Sequence, residues 1–468
     1  MIALVGAATV VGAVIRLAVT RGLSLDEIVT LDRAQRPLGQ LITRLAHGGV
    51  HPPLHPVLEW SMLRLFGDGD FAARLPSLIA GVALVPAVAW LAVELFDRRT
   101  AVVAGLFASV SPLLVFYSQE ASGYALVALF GTLAVIGAVR IAKRGTPGDF
   151  VLHAAAASLA LWSDWSGVLI VAATEIALAA ALVRRRRRGE LPRRVLGLWA
   201  LDTLALAWQL VALMVLFVSQ LHSNGGLNGV TDVAASGVSF YSTVSNASWA
   251  LFGFQPSAVS GVLSAVWPLA MLASLVMVGR GAGRRAWLLL ICALVPAIAV
   301  FVLGLLAPGS FDVRYAIAAV PPILVLLARV ATGWPRGRTG AVLVVGGMLA
   351  LLTGALVDQQ LNPDNPRRYD YGPALTQVQR EAGPRSAVFY EPANLRAVVQ
   401  RDAPGLHASP LTTHLPTRRR VGSVFVVTSF SNQPALLELR NREIGALRAT
   451  RHLVRYRGYP GVRVWWFR

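Results

Sequence analysis

Apolar residues in this chain neither alternate nor recur every third or fourth position for long. They run on, in stretches that approach the ~20 residues a helix needs to cross a bilayer. The first run covers roughly 2–20, and a mixed polar segment follows from Arg21 to Asp70. Inside it, Pro53–Phe66 is too short to cross and reads as an amphipathic helix lying at the interface. Further runs cover 71–95, 100–117 and 124–139, then two short spans within 150–183 that turn at Ser163–Gly167. Runs at 195–218, 257–279, 286–307, 313–331 and 340–357 complete the series. A Gly-, Ser- and Asn-rich loop over 219–256 reads equally well as a mobile lid or as a plain connector. No ten-residue alternation suggests a barrel, and backbone in lipid must bond internally, so the runs are expected to be helices.

From Asp358 the character changes. The tail to Arg468 carries 17 Arg and 8 acidic residues, and the short runs Ala387–Tyr390 and Val424–Val427 predict strands. The expected fold is an all-α polytopic membrane bundle of about 11 transmembrane helices. Interfacial helices occupy its first outside loop, and a small α/β extracytoplasmic domain ends the chain. The boundary between the membrane domain, 1–357, and the C-terminal domain, 358–468, falls where hydropathy drops.

Composition agrees. Of 468 residues, 55% are hydrophobic and 14% charged, with mean hydropathy +0.59, where a soluble domain carries about 25% charge. The net charge of +19 would suggest nucleic acid in a soluble protein. Here a basic membrane face explains it, and no nucleic-acid partner is expected. Cys292 is the one cysteine, inside an apolar run, where it reads as a small core residue. The first twenty residues lack a basic n-region and a cleavage site, so they read as a retained span.

Basic residues fall in alternate loops: Arg98/Arg99, Arg140/Lys143/Arg144, Arg184–Arg188 with Arg193/Arg194, Arg280/Arg284/Arg285, and Arg329/Arg336/Arg338. The loops between them, 118–123, 163–167 and 219–256, have none. The positive-inside pattern then puts the amino terminus in the cytoplasm and the C-terminal domain outside. The first outside loop breaks the trend with Arg21, Arg33, Arg36, Arg44, Arg64 and Arg74, which suggests a held anion or contact with lipid headgroups.

Acids on the outside face narrow the search for a general base: Asp26, Glu27, Asp32, Glu59, Asp68, Asp70, Glu120, Asp164, Asp232 and Asp312. Asp26 and Glu27 follow the first span closely; they suit proton acceptance at the membrane surface, or simply a charged helix start. His51 and His55 flank Pro52 and Pro53. They suit phosphate, a metal or each other, although the prolines argue against a helical pair of metal ligands. Arg74 and Arg314 open spans near the outer surface, where a guanidinium holds phosphate bidentately, reaches headgroups, or pairs with Asp70 and Asp312.

In series, these segments are more specific than singly. Asp26-Glu27 is followed by His51-Pro52-Pro53-Leu54, Leu65-Phe66-Gly67-Asp68 and Arg74-Leu75-Pro76-Ser77. Then come Ser111-Pro112, Tyr117-Ser118-Gln119-Glu120-Ala121, and Arg314-Tyr315 ahead of Pro321-Pro322. Over about residues 20 to 330 the chain resembles the glycosyltransferase-C superfamily, in its bacterial branch related to protein O-mannosyltransferases and aminoarabinose transferases. The resemblance implies an inverting transferase that takes a sugar, mannose or arabinose, from a polyprenyl-phosphate carrier. The acceptor is an extracytoplasmic glycan, lipid or protein, and the setting a bacterial plasma membrane. It assigns Asp26 as general base with Glu27 beside it. Arg74 and Arg314 would steady the leaving phosphate, with Tyr315, His51, His55, Glu120 and Tyr124 in the donor site. It leaves a divalent cation, Mg or Mn, open. Relatives often have an arginine where this chain has Ser122; either another group holds the carrier, or the donor differs, or activity is lost. The other readings are a polyprenyl-lipid flippase and a noncatalytic assembly partner. Against a transporter, no internal repeat is visible, and Glu94, Glu175 and Asp202 lie toward the inside ends of their spans.

Overall fold

The first apolar run folds as α1, Ile2–Ala18, and the polar segment after it as three short helices, α2 Leu25–Ala34, α3 Leu38–Gly48 and α4 Leu54–Phe66. Long helices follow: α5 Asp70–Leu95, α8 Tyr124–Lys143, α9 Pro147–Ser163, α10 Gly167–Arg187 and α11 Arg193–Ser223. Between α5 and α8 lie α6, Arg98–Val110, and α7, Pro112–Ser118. Beyond α11 come helices Ala286–Leu306, Val320–Gly333 and Arg338–Leu361. The computed structural model describes residues 1–18, 21–48, 51–223, 272–273, 276–277, 286–306, 312–333, 337–362, 369–411, 422–429 and 434–468. The expected loop over 219–256 lies outside them except for 219–223, which continue α11 instead, and most of the expected span 257–279 lies outside as well.

Among the described residues seven helices are long and apolar enough to cross a membrane, or eight with α6 and α7 taken as one span. That is fewer than the eleven expected. α1 and α9, at 17 residues each, fall just short, and the run over 257–279 is not described. The run at 100–117 is also not one straight helix: α6 and α7 meet at 56°. Pro112 has no N–H to give the preceding turn and pushes Ser111 out of helical geometry, to φ −64° and ψ 116°.

The described residues form two compact units. The first holds α1 and the described residues from Arg33 to Gln360. Its core is made of small and branched side chains, with Ala104, Phe107, Ala128, Ala157, Ile170 and Leu324 fully buried. Small residues let helices come close, which is how helices associate in lipid. At Gly137 a methyl group would sit 2.8 Å from the backbone of His153, so α8 and α9 touch almost backbone to backbone. Outward, α11 shows Leu201, Leu204, Trp208, Val211 and Val215, and the last helix Val342 and Leu343, a face suited to acyl chains.

The two ends of this bundle differ. At one end α6 is capped by Asp97, which accepts from the N–H groups of Arg99 and Thr100 at 3.0 and 2.9 Å. At the same end α9 starts in a capping box between Thr146 and Asp149. The other end carries the turn between α9 and α10, the start of α8 and the start of helix Val320–Gly333.

The second unit contains residues 21–32 and the chain from Leu361 onward. It has a five-stranded sheet of order β2-β1-β3-β5-β4, where β1 is Ala387–Glu391, β2 Ala408–Pro410, β3 Val424–Ser429, β4 Leu453–Tyr459 and β5 Val462–Phe467. β1 runs parallel to β2 and β3, while β5 runs antiparallel to β3 and β4. Every residue of β3 is buried, as a central strand covered on both faces requires. Helices Tyr371–Glu381, Arg396–Asp402 and Pro434–Thr450 accompany the sheet. Arg440 grips buried Glu391 with two bonds, Nε to Oε2 at 2.9 Å and a second nitrogen to Oε1 at 3.3 Å.

Candidate functional site

Four local structures gather the predicted residues of the first unit at one end of its bundle. The first is the segment before α4. Pro52 and Pro53 keep it out of helix, and the end of α11 ties it down: the Gln220 side-chain amide donates to the carbonyls of Leu45 (2.8 Å) and His51 (3.1 Å). His51 is thereby held with its Nδ1 3.3 Å from Asp164 Oδ2.

The second is the turn between α9 and α10, in Ser163-Asp164-Trp165-Ser166-Gly167. Asp164 Oδ1 accepts from the Ser166 N–H at 2.9 Å and its hydroxyl at 2.7 Å. Burial pushes the Asp164 carboxyl up, but the His51 hydrogen bond and charge, with the two bonds from Ser166, outweigh it and hold the group below the usual carboxylate range. Trp165 packs edge-on against Phe217, with ring centroids 5.1 Å apart, which fixes the turn against α11.

The third structure links α4, α5 and the connection from α7 to α8. His55 is 2% exposed, and its Nδ1 lies 4.0 Å from an oxygen of the fully buried Glu59, one turn along α4. Its Nε2 is 3.5 Å from the Ser77 hydroxyl, which donates to the Ser122 carbonyl at 2.9 Å. Arg74 is buried three residues before Ser77, on the same face of α5. Glu120 is buried in the α7–α8 connection. Ser122, where the resemblance leads one to expect an arginine, is thus bound to α5 through its backbone.

The fourth is a cation among rings. Val313–Ala319 forms a 3-10 turn, started by Asp312 accepting from the Arg314 N–H at 3.0 Å. The Arg314 guanidinium lies 5.8 Å from the ring centre of Tyr124 and 5.4 Å from that of Tyr315. Its Nε is 3.4 Å from Asp312 Oδ2. Tyr117 packs edge-on against Tyr124 at 5.0 Å. A methyl group on Gly123 would overlap the Ser163 carbonyl oxygen and press on Asp164 Cβ at 3.2 Å, so the start of α8 abuts the second structure.

Asp26 and Glu27 belong to the second unit and start α2. Glu27 is 1% exposed, and its Oε2 accepts from the Ser24 N–H at 2.7 Å while Ser24 Oγ accepts from the Glu27 N–H at 3.3 Å. This reciprocal cap gives Glu27 a structural part at the start of α2. Asp26 is exposed. Burial drives the Tyr371 phenol well above its usual range against a 2.7 Å bond to Ser429, and the Asp26 charge adds to the push. Asp26 and the C-terminal domain therefore share one electrostatic neighbourhood.

Sequence reasoning set Asp164 among the candidate bases but missed it as the partner of His51. Ser77 was quoted in a motif but given no role, and Arg16 was missed outright. Arg16, 2% exposed, donates to the carbonyls of Gly12 at 2.9 Å and Ser109 at 3.2 Å, where the broken α6–α7 pair leaves backbone open. A lone arginine inside the first apolar run was the available signal.

Residues 50–208 match the family model for dolichyl-phosphate-mannose-protein mannosyltransferase, a stretch that includes His51, His55, Arg74, Glu120 and Tyr124. Among curated proteins no sequence match was found. The fold is shared with ArnT from Cupriavidus metallidurans in the apo state, at 15% identity and TM-score 0.57 over 99% of this chain and 97% of that one. The same protein bound to undecaprenyl phosphate matches at 13% identity and TM-score 0.56, over 99% and 97%. The archaeal oligosaccharyltransferase AglB from Archaeoglobus fulgidus, solved with an inhibitory peptide and a dolichol-phosphate, matches at 14% identity and TM-score 0.53, over 92% of this chain and 69% of that one. With that sequence match and a fold common to ArnT and AglB, the chain resembles the glycosyltransferase-C superfamily.

Proposed function

We propose that this protein is an inverting membrane glycosyltransferase that moves a sugar, mannose or arabinose, from a polyprenyl-phosphate donor to an extracytoplasmic glycan, lipid or protein. The observation that carries the reading is the Arg314 guanidinium beside the rings of both Tyr124 and Tyr315, in a fold shared with ArnT, which has been solved bound to undecaprenyl phosphate. Phosphate needs a fixed cation, and a sugar suits flat aromatic walls.

The acceptor hydroxyl attacks the anomeric carbon from the face opposite the phosphate. Its oxygen forms the new bond as its proton passes to Asp26. The bond from the anomeric carbon to the phosphate oxygen breaks, and the polyprenyl phosphate leaves with the electron pair. Arg314 and Arg74 offset the charge that grows on that oxygen, and protein around them keeps water away. His51, His55, Glu120 and Tyr124 shape the donor pocket. The site and the C-terminal domain face outward from a bacterial plasma membrane, with the basic loops in the cytoplasm.

The test is transfer of labelled sugar from polyprenyl-phosphate mannose and from polyprenyl-phosphate arabinose by purified protein, beside Asp26→Asn. A positioned general base contributes about 10²–10⁴-fold, so Asp26→Asn should lose transfer by roughly that factor while still binding the carrier. Carrier binding with no transfer from either donor would overturn the enzymatic reading in favour of a flippase. Equal rates in both proteins would remove Asp26 from the role of base.

A further inference from the structure

Deep in the bundle, away from the candidate site, three helices bring one imidazole and two carboxylates together. His153 of α9 is fully buried, Asp202 of α11 is 5% exposed, and Glu175 of α10 is partly buried. His153 Nδ1 lies 2.8 Å from Asp202 Oδ2, and its Nε2 lies 3.8 Å from Glu175 Oε1 and 3.2 Å from the Thr174 hydroxyl. One ligand atom from each of the three residues lies within 4.8 Å of the other two. His153 stands ten residues before the end of α9 that carries Ser163, about 15 Å along the axis from the candidate site.

Two observations point to a cation. Asp202 Oδ1 and Glu175 Oε1 are both buried and, among the described residues, have no hydrogen-bond partner. A buried acceptor left unmatched costs about 1–3 kcal/mol, more when charged. Second, the surroundings orient the carboxylate. Trp199 Nε1 and the Thr203 hydroxyl both donate to Glu175 Oε2, at 3.1 and 3.0 Å, which leaves Oε1 for the histidine side. Donors placed behind a ligand in this way are the usual supports of metal sites.

Protons alone do not complete the arrangement. The Thr174 hydroxyl donates to the Val171 carbonyl at 2.8 Å, so its oxygen accepts from His153 Nε2. One further proton then serves the bond between Nδ1 and Asp202, whichever atom carries it. Neither free oxygen gains a donor in either case. A divalent cation would give both oxygens a partner and offset the charge that two carboxylates bring into the bundle.

We propose that His153, Glu175 and Asp202 form a binding site for a divalent transition metal, with zinc as the probe of choice. One nitrogen and two oxygens suit zinc or its neighbours better than magnesium or calcium, which prefer oxygen alone. Bonds of about 2.0–2.2 Å in a tetrahedral set require the ligand atoms to draw in by roughly 1 Å. The flexible Glu175 side chain can supply that shift, and its 20% exposure gives the ion a way in. Such an ion would clamp α9, α10 and α11 together.

The test uses the whole protein in detergent, stripped with chelator and titrated with zinc chloride. The wild type should take up one zinc per chain, with a thermal midpoint that rises as zinc is added. Glu175→Gln, which keeps an acceptor for Trp199 and Thr203, should remain folded, bind at least tenfold more weakly and lose the zinc-dependent rise. Cobalt should give the visible bands of a nitrogen- and oxygen-bound ion in the wild type and not in Glu175→Gln. No stoichiometric uptake by the wild type would overturn the proposal and leave a proton-sharing network. Uptake and cobalt bands unchanged in Glu175→Gln would equally overturn it, by placing the ion elsewhere.

Discussion

The two ends of the helical bundle use the same acids with different partners. At the end with the basic loops, carboxylates meet arginine and lysine: Arg140 with Asp149 at 2.7 Å, Lys143 and Arg144 with Glu94 at 3.4 and 3.6 Å, and Arg329 with Asp97 at 2.9 Å. At the end with the candidate site they meet histidine: His51 with Asp164 at 3.3 Å and His55 with Glu59 at 4.0 Å. A guanidinium keeps its proton in proteins, so an arginine–acid pair is a fixed joint. An imidazole is both donor and acceptor, so a histidine–acid pair can take and release protons or turn toward a ligand. Arg314 at the site end lies beside two rings, with the Asp312 carboxylate 3.4 Å from its Nε. If the proposed function holds, the difference suits one end to anchoring and the other to chemistry.

Replacing an arginine at each end tests that division most strongly. Arg314→Ala should cut kcat/KM for transfer about 100-fold, the loss of one charge-assisted bond to phosphate worth roughly 2–3 kcal/mol. Arg314→Lys should restore only part, because an ammonium cannot match the planar fork. Arg140→Ala should lower the thermal midpoint and leave kcat/KM within about twofold. If Arg140→Ala lost transfer as Arg314→Ala does, the ends would not be functionally distinct.

Glycines sharpen the contrast. Gly123→Ala puts a methyl group into the Ser163 carbonyl and against Asp164, whereas Gly148→Ala at the other end meets nothing within 4 Å. Overpacking costs about 1–3 kcal/mol, so Gly123→Ala should lower the thermal midpoint by several degrees and slow transfer by displacing the His51–Asp164 pair. Gly148→Ala should leave both close to wild type.

The pattern of apolar runs made the bundle legible, because a backbone in lipid has few options. The motif series made the site end legible: His51, His55, Arg74, Glu120, Tyr124, Arg314 and Tyr315 all lie there. Partners across helices were not legible. His51 and Asp164 are 113 positions apart, and nothing in either segment names the other. Pro112 marked the break in α6–α7 plainly, yet hydropathy averaged it away. The grouping of residues 21–32 with the C-terminal unit depends on contacts over more than 300 positions, which no local pattern encodes. Glu27 shows what a local pattern does encode: Ser24-Leu25-Asp26-Glu27 spells a capping box, and the reciprocal bonds between Ser24 and Glu27 form it.

Acid should act on the site end through Asp164. Its carboxyl is held below the ordinary range, so it favours the folded state fully above the unfolded value of about 3.9 and loses that contribution as pH falls through its folded value. The thermal midpoint of the wild type should therefore hold from neutral pH to about pH 4 and fall below it. Asp164→Asn should be lower at neutral pH by about 1–2 kcal/mol and show a shallower acid decline, because the charged bond to His51 is already gone. An acid decline as steep in Asp164→Asn as in the wild type would place the sensitive group elsewhere.

The smallest effect comes from the anchoring end, where Asp97 both caps α6 and meets Arg329. Burial pushes the Asp97 carboxyl up, but bonds from Thr100 and Arg99 and the Arg329 charge hold it below the usual range. Asparagine caps a helix about as well as aspartate, so Asp97→Asn keeps the bonds to the N–H groups of Arg99 and Thr100 and removes only the charge. What remains is an exposed pair, with the two side chains 48% and 28% open to solvent, and such pairs contribute about 0.2–1 kcal/mol. The midpoint should drop by about 1 °C in low salt, and the gap should close in 1 M salt, where the screening length shrinks to about 3 Å. Transfer should not change at either salt concentration, because an arginine pair at this end fixes the helix without touching the donor. A tenfold loss of transfer in Asp97→Asn would mean that the anchoring end sets the geometry of the site end, and the two regions would have to be treated as one coupled device.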